Sequence, residues 1–282
     1  MIEEKIREIR NDNISGAFEL TEKALRVFIQ FAKVSNARDE QEYLDELRRI
    51  SEKLIKAQPT MVSIGNLTGF LLSEISAKNL YEMRRKTKEK TEEKLKYMRF
   101  SRKKIIQLAE SEIEDGDLIL THSFSSLVFE ILKVSSKNFK IMVTESRPLC
   151  EGTELSKKLA ASKPTALILD CAVGRFIKEI DKIFVGADCI TNDYLINKIG
   201  TYPIALCAKR EGVPFYALSE TYKFNPSNIL IEEKPSEEIL KEKIPNLEVR
   251  NLYFDETPLN LVTKIIYEKG IFEYPFKEFL NR

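Results

Sequence analysis

The sequence has few of the residues that build metal centres or disulfide scaffolds. It contains one histidine, His122, and four cysteines, none of which form a C-x-x-C pair. One histidine and no cluster at metal-ligand spacing argue against a zinc enzyme, and we expect no metal. Free thiols are typical of the cytoplasm, so we expect a cytoplasmic protein with reduced cysteines.

Long apolar runs and glycine-rich nucleotide motifs are also missing. No stretch approaches the roughly 18 apolar residues of a membrane helix, and the first ten residues, MIEEKIREIR, are charged, unlike a signal peptide. Neither G-x-G-x-x-G nor G-x-x-x-x-G-K-[ST] occurs, which argues against a dinucleotide oxidoreductase or a P-loop enzyme. We therefore expect no membrane partner and no cofactor.

Neither sign of charge is in excess over the whole chain. Lys and Arg number 45 and Asp and Glu 44, for a net charge of +1, which argues against a dedicated nucleic-acid binder. The local exception is residues 81–110, with eleven Lys or Arg against five Asp or Glu, an excess of +6. We interpret this stretch as a solvated helix face, with contact to RNA or an acidic partner as the alternative.

The first part of the chain has the apolar spacing of helices. In the first of these helices the apolar positions recur at steps of three, four and seven, at Ile14, Phe18, Leu25, Phe28 and Ala32. Further helices are predicted over roughly 39–57 (ended by Pro59), from about Thr60, and from about 79 to 113. We place a helical domain at residues 1–112.

The rest of the chain changes period. Short apolar runs rich in strand-forming residues begin at Leu118, Phe139, Ala166, Lys182 and Phe215. Helical stretches lie between them, for example Glu154–Ala161 and Thr201–Glu211. Alternating strands and helices predict an α/β domain, residues 113–282, with a mainly parallel sheet covered by helices on both faces.

Polar residues end these predicted strands, where ligands bind in such a sheet. Ser123 and Ser125 follow the first strand, and we interpret one of them as a helix cap, with contact to a phosphate or a sugar hydroxyl as the alternative. A Ser-His-acid triad with His122 is not supported because the G-x-S-x-G elbow is absent. We expect His122 to pack at the strand end.

A carboxylate and a cation follow another pair of segments. Asp188 comes after Val185-Gly-Ala, and Asn197-Lys198 precede a predicted helix. One acid for hydroxyls and one lysine for phosphate suit a polyol phosphate. The alternative is that Asp188 caps a turn and that Lys198 is solvated.

These segments, in this order, resemble the translation initiation factor 2B alpha/beta/delta superfamily, which also contains methylthioribose-1-phosphate isomerase and archaeal ribose-1,5-bisphosphate isomerase. The similar segments are Thr121-His-Ser-Phe-Ser, Thr144-Glu-Ser-Arg-Pro-x-x-Glu-Gly152, Val185-Gly-Ala-Asp188, Ile196-Asn-Lys-Ile-Gly-Thr-Tyr202, Val213-Pro-Phe-Tyr, Glu220-Thr-Tyr-Lys-Phe224 and Phe254-Asp-x-Thr-Pro258. The resemblance implies an N-terminal helical domain followed by a Rossmann-like domain, usually dimeric through the latter.

The resemblance also implies roles for single residues. The isomerases use an aspartate and a cysteine as an acid/base pair; Asp188 matches the aspartate, but Ser123 occupies the cysteine position. Ser15 and Gln58 stand where archaeal bisphosphate isomerases have phosphate-holding arginines. Family-like ligand positions are kept at Gly16, Ala17, Ser125, Arg147, Asn197 and Lys198.

The altered acid/base pair decides the predicted function. A serine hydroxyl is far less acidic than a thiol, whose pKa is about 8.5, so it exchanges a proton poorly at neutral pH. We therefore expect a homodimeric, archaeal-type initiation factor 2B alpha-like protein that binds a sugar phosphate or a nucleotide monophosphate without turnover and has initiation factor 2 or a related complex as partner. The alternative is a ribose-1,5-bisphosphate isomerase in which Asp188 is catalytic.

Overall fold

The computed structural model describes residues 1–12, 15–76, 79–225, 231 and 233–276. The predicted first helical position, Ile14, lies outside these residues. Within the described residues the α-helices are α1 (Ile2–Asn11), α2 (Ala17–Val34), α3 (Glu40–Ala57), α4 (Val62–Glu74), α5 (Leu80–Glu110), α6 (Ser126–Val134), α7 (Glu151–Ala160), α8 (Val173–Phe176) and α9 (Thr201–Glu211). The strands are β1 (Leu118–Thr121), β2 (Lys140–Thr144), β3 (Thr165–Ile168), β4 (Lys182–Gly186), β5 (Cys189–Ile190), β6 (Tyr194–Lys198), β7 (Phe215–Leu218), β8 (Phe254–Pro258), β9 (Lys264–Tyr267) and β10 (Gly270–Glu273).

The chain divides into two compact units. One contains Met1–Ser101 with Tyr222–Phe224, and the other Arg102–Thr221 with Asn225–Arg282. The first is helical and the second contains every strand named above, which is the α/β class with an N-terminal helical part that the pattern predicted. Across the described stretches, each helix is too short or too polar to span a bilayer.

The helical unit is built on amphipathic helices with one shared core. Phe28, Tyr43, Leu47 and Leu54 are fully buried there, because apolar residues at steps of three and four fall on one helix face. Helix α3 begins at a cap, where the Asp39 carboxylate accepts a hydrogen bond from the Glu42 amide at 2.8 Å. It ends at Ala57, two residues before the proline that predicted its end.

Helix α5 buries apolar side chains along its length and pairs several of its charged side chains. Leu95, Met98 and Ile105 are at most 6% exposed. Several of its basic side chains form ion pairs, namely Arg85 with Glu89, Lys90 with Glu93, Lys94 with Glu74, Arg99 with Glu22 and Arg102 with Glu130. Part of the basic charge of this helix is therefore paired within the protein, as the interpretation of a solvated helix face expects.

The larger sheet has seven strands in the order β10-β9-β7-β4-β1-β2-β3. Its strand pairs are parallel except that β10 runs antiparallel to β9. Ile119, Val143, Phe184 and Leu218 are buried in its core. The carboxyl ends of the parallel strands β1, β2, β4 and β7 therefore meet at one edge, as the alternating pattern predicted.

A second sheet, which the sequence pattern did not predict, lies in the same unit. It is antiparallel in the order β5-β6-β8. Strand β6 ends in the polar residues Asn197 and Lys198, and β5 has only two residues, so neither has the apolar run that marks a strand. The pairing of β6 with β8 sets Asn197 opposite Asp255 and Lys198 opposite Phe254.

Candidate functional site

Three polar side chains meet beside the carboxyl ends of β1 and β2. The Ser123 hydroxyl donates to Glu151 Oε1 at 3.0 Å, and Lys198 Nζ lies 2.8 Å from the same oxygen. Lys198 is only 5% exposed, so the interpretation of Lys198 as a solvated cation is wrong. A buried ammonium needs a counter-charge, and Glu151 provides it.

Glu151 reaches this position because α7 starts at the end of β2. The helix begins at Glu151, earlier than the predicted Glu154. Gly152 permits the close approach, since a Cβ there would lie 1.8 Å from the Thr144 carbonyl oxygen. Cys150, just before the helix, has a φ of 57° in the left-handed region. The tight turn thus directs the Glu151 carboxylate toward Ser123.

The buried His122 side chain links two chain segments next to the site through its two ring nitrogens. Its ring is 1% exposed; Nε2 lies 2.8 Å from the Ile199 carbonyl oxygen and Nδ1 lies 2.5 Å from Thr144 Oγ1. A carbonyl only accepts, so Nε2 donates and Nδ1 accepts from the hydroxyl. Burial lowers the His122 pKa and keeps the ring neutral. Gly200, with a φ of 107°, packs directly against this ring.

Ser125 is a helix cap, one of the two interpretations left open by the sequence. Its hydroxyl accepts a hydrogen bond from the Val128 amide at 3.3 Å and so begins α6. The hydroxyl also packs on Gly186 at the end of β4, where an added Cβ would lie 2.7 Å from it. Ser123 does not cap the helix; its φ of 64° turns the chain ahead of the helix.

A carboxylate satisfies the first amides of α9. Asp255 Oδ2 accepts hydrogen bonds from the Gly200 amide at 2.8 Å and the Tyr202 amide at 3.0 Å. Burial raises the pKa of Asp255 to about 6, and the two amides partly oppose that rise. Asn197 serves the same turn, since its amide donates to Thr201 Oγ1 at 3.0 Å. This helix end is therefore held by the protein's own side chains.

Asp188 lies on the link between β4 and β5. It is half-buried, and its amide donates to the Ile196 carbonyl oxygen at 2.9 Å, which places it beside the end of β6. Its neighbour Cys189 is fully buried, and burial, with the Asp188 charge, raises the pKa of that thiol to about 12. Cys189 therefore keeps its proton at neutral pH.

The remaining predicted ligand positions are Arg147, Gly16 and Ala17. Arg147 is exposed on the loop after β2, where its amide donates to Asp170 Oδ2 at 2.7 Å and its guanidinium is 3.9 Å from Cys150 Sγ. Gly16 and Ala17 belong to the helical unit, where Gly16 is the N-cap of α2. Among the described side chains, no group of three His, Cys, Asp or Glu is arranged to hold a metal ion.

Glu151 is the residue that sequence reasoning left without a role. It brings Ser123 and Lys198 together, although the two are far apart in the chain. The signal was its place in the segment from Thr144 to Gly152, where it is the carboxylate next to a glycine. Its contacts depend on the start of α7 and were not readable from spacing.

Known proteins similar to this chain have two kinds of name. A sequence model of the initiation factor 2 subunit family matches residues 13–274. A Pyrococcus horikoshii protein named translation initiation factor eIF-2B subunit 2-like is 35% identical over 95% of both chains. An Archaeoglobus fulgidus protein named ribose 1,5-bisphosphate isomerase is 35% identical over 95% of this chain and 88% of its own.

A solved structure has the same fold over nearly its full length. The crystal structure of the Pyrococcus horikoshii translation initiation factor eIF-2B matches with a TM-score of 0.84 and 34% identity, covering 97% of each chain. The family model covers most of this chain, and the two relatives are more than 30% identical to it over almost all of its length. This chain therefore belongs to the initiation factor 2 subunit family.

Proposed function

We propose that this protein is an archaeal-type, initiation factor 2B alpha-like regulator of translation initiation that binds a sugar phosphate or a nucleotide monophosphate without converting it. The observation that carries the proposal is Ser123 at the position where the isomerases of the superfamily have their acid/base cysteine. Its hydroxyl donates to Glu151, and because a hydroxyl is far less acidic than a thiol, Ser123 is a poor proton donor to a sugar carbon near neutral pH.

The thiol next to Asp188 in the sequence supports the absence of turnover. Cys189, the thiol next to Asp188, has its pKa raised to about 12 by burial, so it is neither a ready acid nor a thiolate at neutral pH. An acid/base pair of Cys189 and Asp188 is therefore not available in this fold.

The ligand site favours one phosphate group. Lys198 supplies a buried cation next to the Ser123 hydroxyl and the Glu151 carboxylate, a set that suits a phosphate and sugar hydroxyls. Ser15 and Gln58 are uncharged, and Gln58 donates to the Ile9 carbonyl oxygen at 2.8 Å. Without two arginines, a second phosphate loses about 1.5–3 kcal/mol for each missing charged hydrogen-bond partner.

The partner belongs to the same proposal. The helical domain, residues 1–112, offers the outer contacts to initiation factor 2 or a related complex, and the Rossmann-like domain, residues 113–282, makes a homodimer. The family relationship and the relatives named for eIF-2B support this assignment.

Calorimetric titration with ribose 1,5-bisphosphate, ribose 5-phosphate and AMP, with product analysis of each mixture, tests the proposal. We expect binding of a monophosphate and no ribulose product. Pull-down with initiation factor 2 then tests the partner. Conversion of ribose 1,5-bisphosphate at ordinary enzyme rates would overturn the proposal.

The second candidate function is an aldose–ketose isomerase of a sugar 1-phosphate. The relatives named ribose 1,5-bisphosphate isomerase favour it, together with Asp188 at the aspartate position. Cys150, directly before Glu151 and half-buried, is the remaining thiol on the site loop. If this candidate is right, D188N abolishes turnover and C150A lowers it, whereas the exposed Cys171 changes nothing when replaced by alanine.

A further inference from the structure

The ammonium of Lys198 is enclosed by an aromatic ring as well as by a carboxylate. Its Nζ lies 4.5 Å from the centre of the Tyr253 ring and 2.8 Å from Glu151 Oε1. A lysine head group is a compact charge on a flexible stem, so its direction depends on what surrounds it. A desolvated ammonium over an aromatic face is also held by the negative face of the ring.

Tyr253 is itself held by two hydrogen bonds, one at its hydroxyl and one at its backbone. Its hydroxyl donates to Glu238 Oε1 at 2.5 Å, and the backbone carbonyl of Tyr253 accepts a hydrogen bond from the Ile199 amide at 2.7 Å, one residue beyond Lys198. The ring therefore swings away from Lys198 only if the bond to Glu238 breaks.

Glu238 is held in turn by a buried amide. Asn251, 1% exposed, donates to Glu238 Oε2 at 2.8 Å and to the Pro235 carbonyl oxygen at 2.8 Å. Each carboxylate oxygen of Glu238 thus accepts one hydrogen bond from the protein. These two bonds fix the carboxylate in place, and we call this arrangement the clamp on Tyr253. Burial and the Glu238 hydrogen bond raise the pKa of Tyr253, so the phenol stays a neutral donor.

We propose that Tyr253 is a positioning residue of the ligand site: its ring, clamped by Glu238, holds the Lys198 ammonium between the ring and Glu151 and keeps water from it. This inference rests on the proposed function, because the phosphate of the ligand is what the ammonium is held to meet. Tyr253 acts through Lys198 and is not assigned a contact with the ligand.

The shielding of Lys198 is measurable without any ligand. Acetic anhydride labelling followed by peptide mass spectrometry gives the modification rate of each lysine. We expect Y253L to raise the rate at Lys198 roughly tenfold, the scale of a lost cation–ring contact, and Y253F, which keeps the ring but loses the hydrogen bond to Glu238, to raise it by a smaller factor. The exposed Lys88 is the internal control and should react equally in all variants.

Ligand binding gives the second measurement. Calorimetry with inorganic phosphate, ribose 5-phosphate and AMP should show affinity roughly tenfold weaker in Y253L and less weakened in Y253F. E238Q, which weakens the clamp and keeps the ring, should lose no more affinity than Y253F, and it serves as the test variant if Y253L does not fold.

The outcomes separate the two proposals. Equal Lys198 labelling in Y253L, Y253F and wild type would overturn the role of Tyr253, as would weakened binding in Y253F equal to that in Y253L. If the wild type binds none of the phosphorylated probes, the proposed function fails, while Lys198 labelling that rises most in Y253L would still support the position of the ring.

Discussion

Glu151 is the side chain through which Ser123 and Lys198 meet. One oxygen of its carboxylate receives both the hydroxyl and the ammonium. Lys198 is nearly inaccessible to water, whereas the Glu151 side chain is a quarter exposed. Loss of the carboxylate would therefore leave the lysine charge buried without compensation, which costs more than the contact itself contributes.

Replacement of Glu151 should destabilise the fold, and the loss should be larger when the new side chain offers Lys198 no hydrogen-bond acceptor. We expect E151A to lower the free energy of unfolding by about 2 kcal/mol, less than a fully buried pair because Glu151 is partly solvated. E151Q should lower it less, since the amide oxygen still accepts hydrogen bonds. Urea unfolding measures both.

The matched control for Glu151 lies on the same helix. The ion pair of Glu154 with Lys157 is exposed on both sides, so E154A should change the stability by less than about 0.5 kcal/mol. Equal effects of E151A and E154A would contradict the buried ion pair.

We propose that Ser123 prevents turnover at this site. A thiol at this position has a pKa of about 8.5 and exchanges a proton far more readily than a hydroxyl. We expect S123C to form ribulose product from ribose 1,5-bisphosphate where the wild type and S123A form none. Product analysis by mass spectrometry measures this; turnover by S123A at the rate of S123C would contradict it.

At the scale of elements, two glycines with different surroundings give opposite expectations. G152A forces a Cβ to within 1.8 Å of the Thr144 carbonyl oxygen, so α7 has to shift, and we expect a loss of about 3 kcal/mol. Gly69 lies inside α4 with nothing within 4 Å of an added Cβ, and G69A should stabilise by roughly 0.5–1 kcal/mol. Thermal unfolding of both variants measures the difference, and a stabilised G152A would contradict the packing of α7.

The cap of α9 should make stability depend on pH. Asp255 has a folded pKa of about 6, raised from an ordinary value of 3.8, so the folded state holds its proton where the unfolded state has lost it. Below about pH 4 the carboxyl is protonated in both the folded and the unfolded state, and its contribution to stability is fully present. As the pH rises from about 4 through 6, the free energy of unfolding falls by about 3 kcal/mol.

D255N removes this titration and keeps an oxygen for the two amides. The stability of the wild type relative to D255N, from urea unfolding between about pH 4 and 7, should therefore decrease as the pH rises. His122 contributes the opposite slope, since its lowered pKa makes stability fall as the pH drops below about 6.5, but this contribution is common to both proteins and cancels. A difference independent of pH would contradict the raised pKa.

At the scale of the whole molecule, one edge of the larger sheet is the place to expect a second copy. Strand β3 lies at that edge, and Leu167 and Leu169 are 46% and 56% exposed. Open apolar edges are sites of association. We expect the wild type to sediment at twice 32.6 kDa and L169E to sediment as a monomer.

Leu206, on α9 and 44% exposed, is the control for this edge. L206E carries the same change on a helix that packs against β7 and β8, and it should leave the dimer intact. A monomeric wild type, or a dimer that persists in L169E, would contradict an interface at this edge.

Prediction from sequence worked where one local signal decided the structure. Helix α3 followed from its spacing and Pro59, and α9 was placed at Thr201–Glu211 as observed. The small sheet escaped prediction because β6 ends in Asn197-Lys198 and gains its order from pairing with β8, some sixty residues later. A strand that is ordered by pairing with a strand far along the chain shows no apolar period in its own sequence.

Periodicity and short motifs are local properties of the chain, and they were enough to predict the α/β class, the helical N-terminal part, the family and the set of polar residues at the strand ends. The burial of Lys198, its pairing with Glu151 and its cover by Tyr253 could be read only from the folded structure. Those contacts join residues about fifty positions apart, and burial in low dielectric, which exists only after folding, gives them their strength.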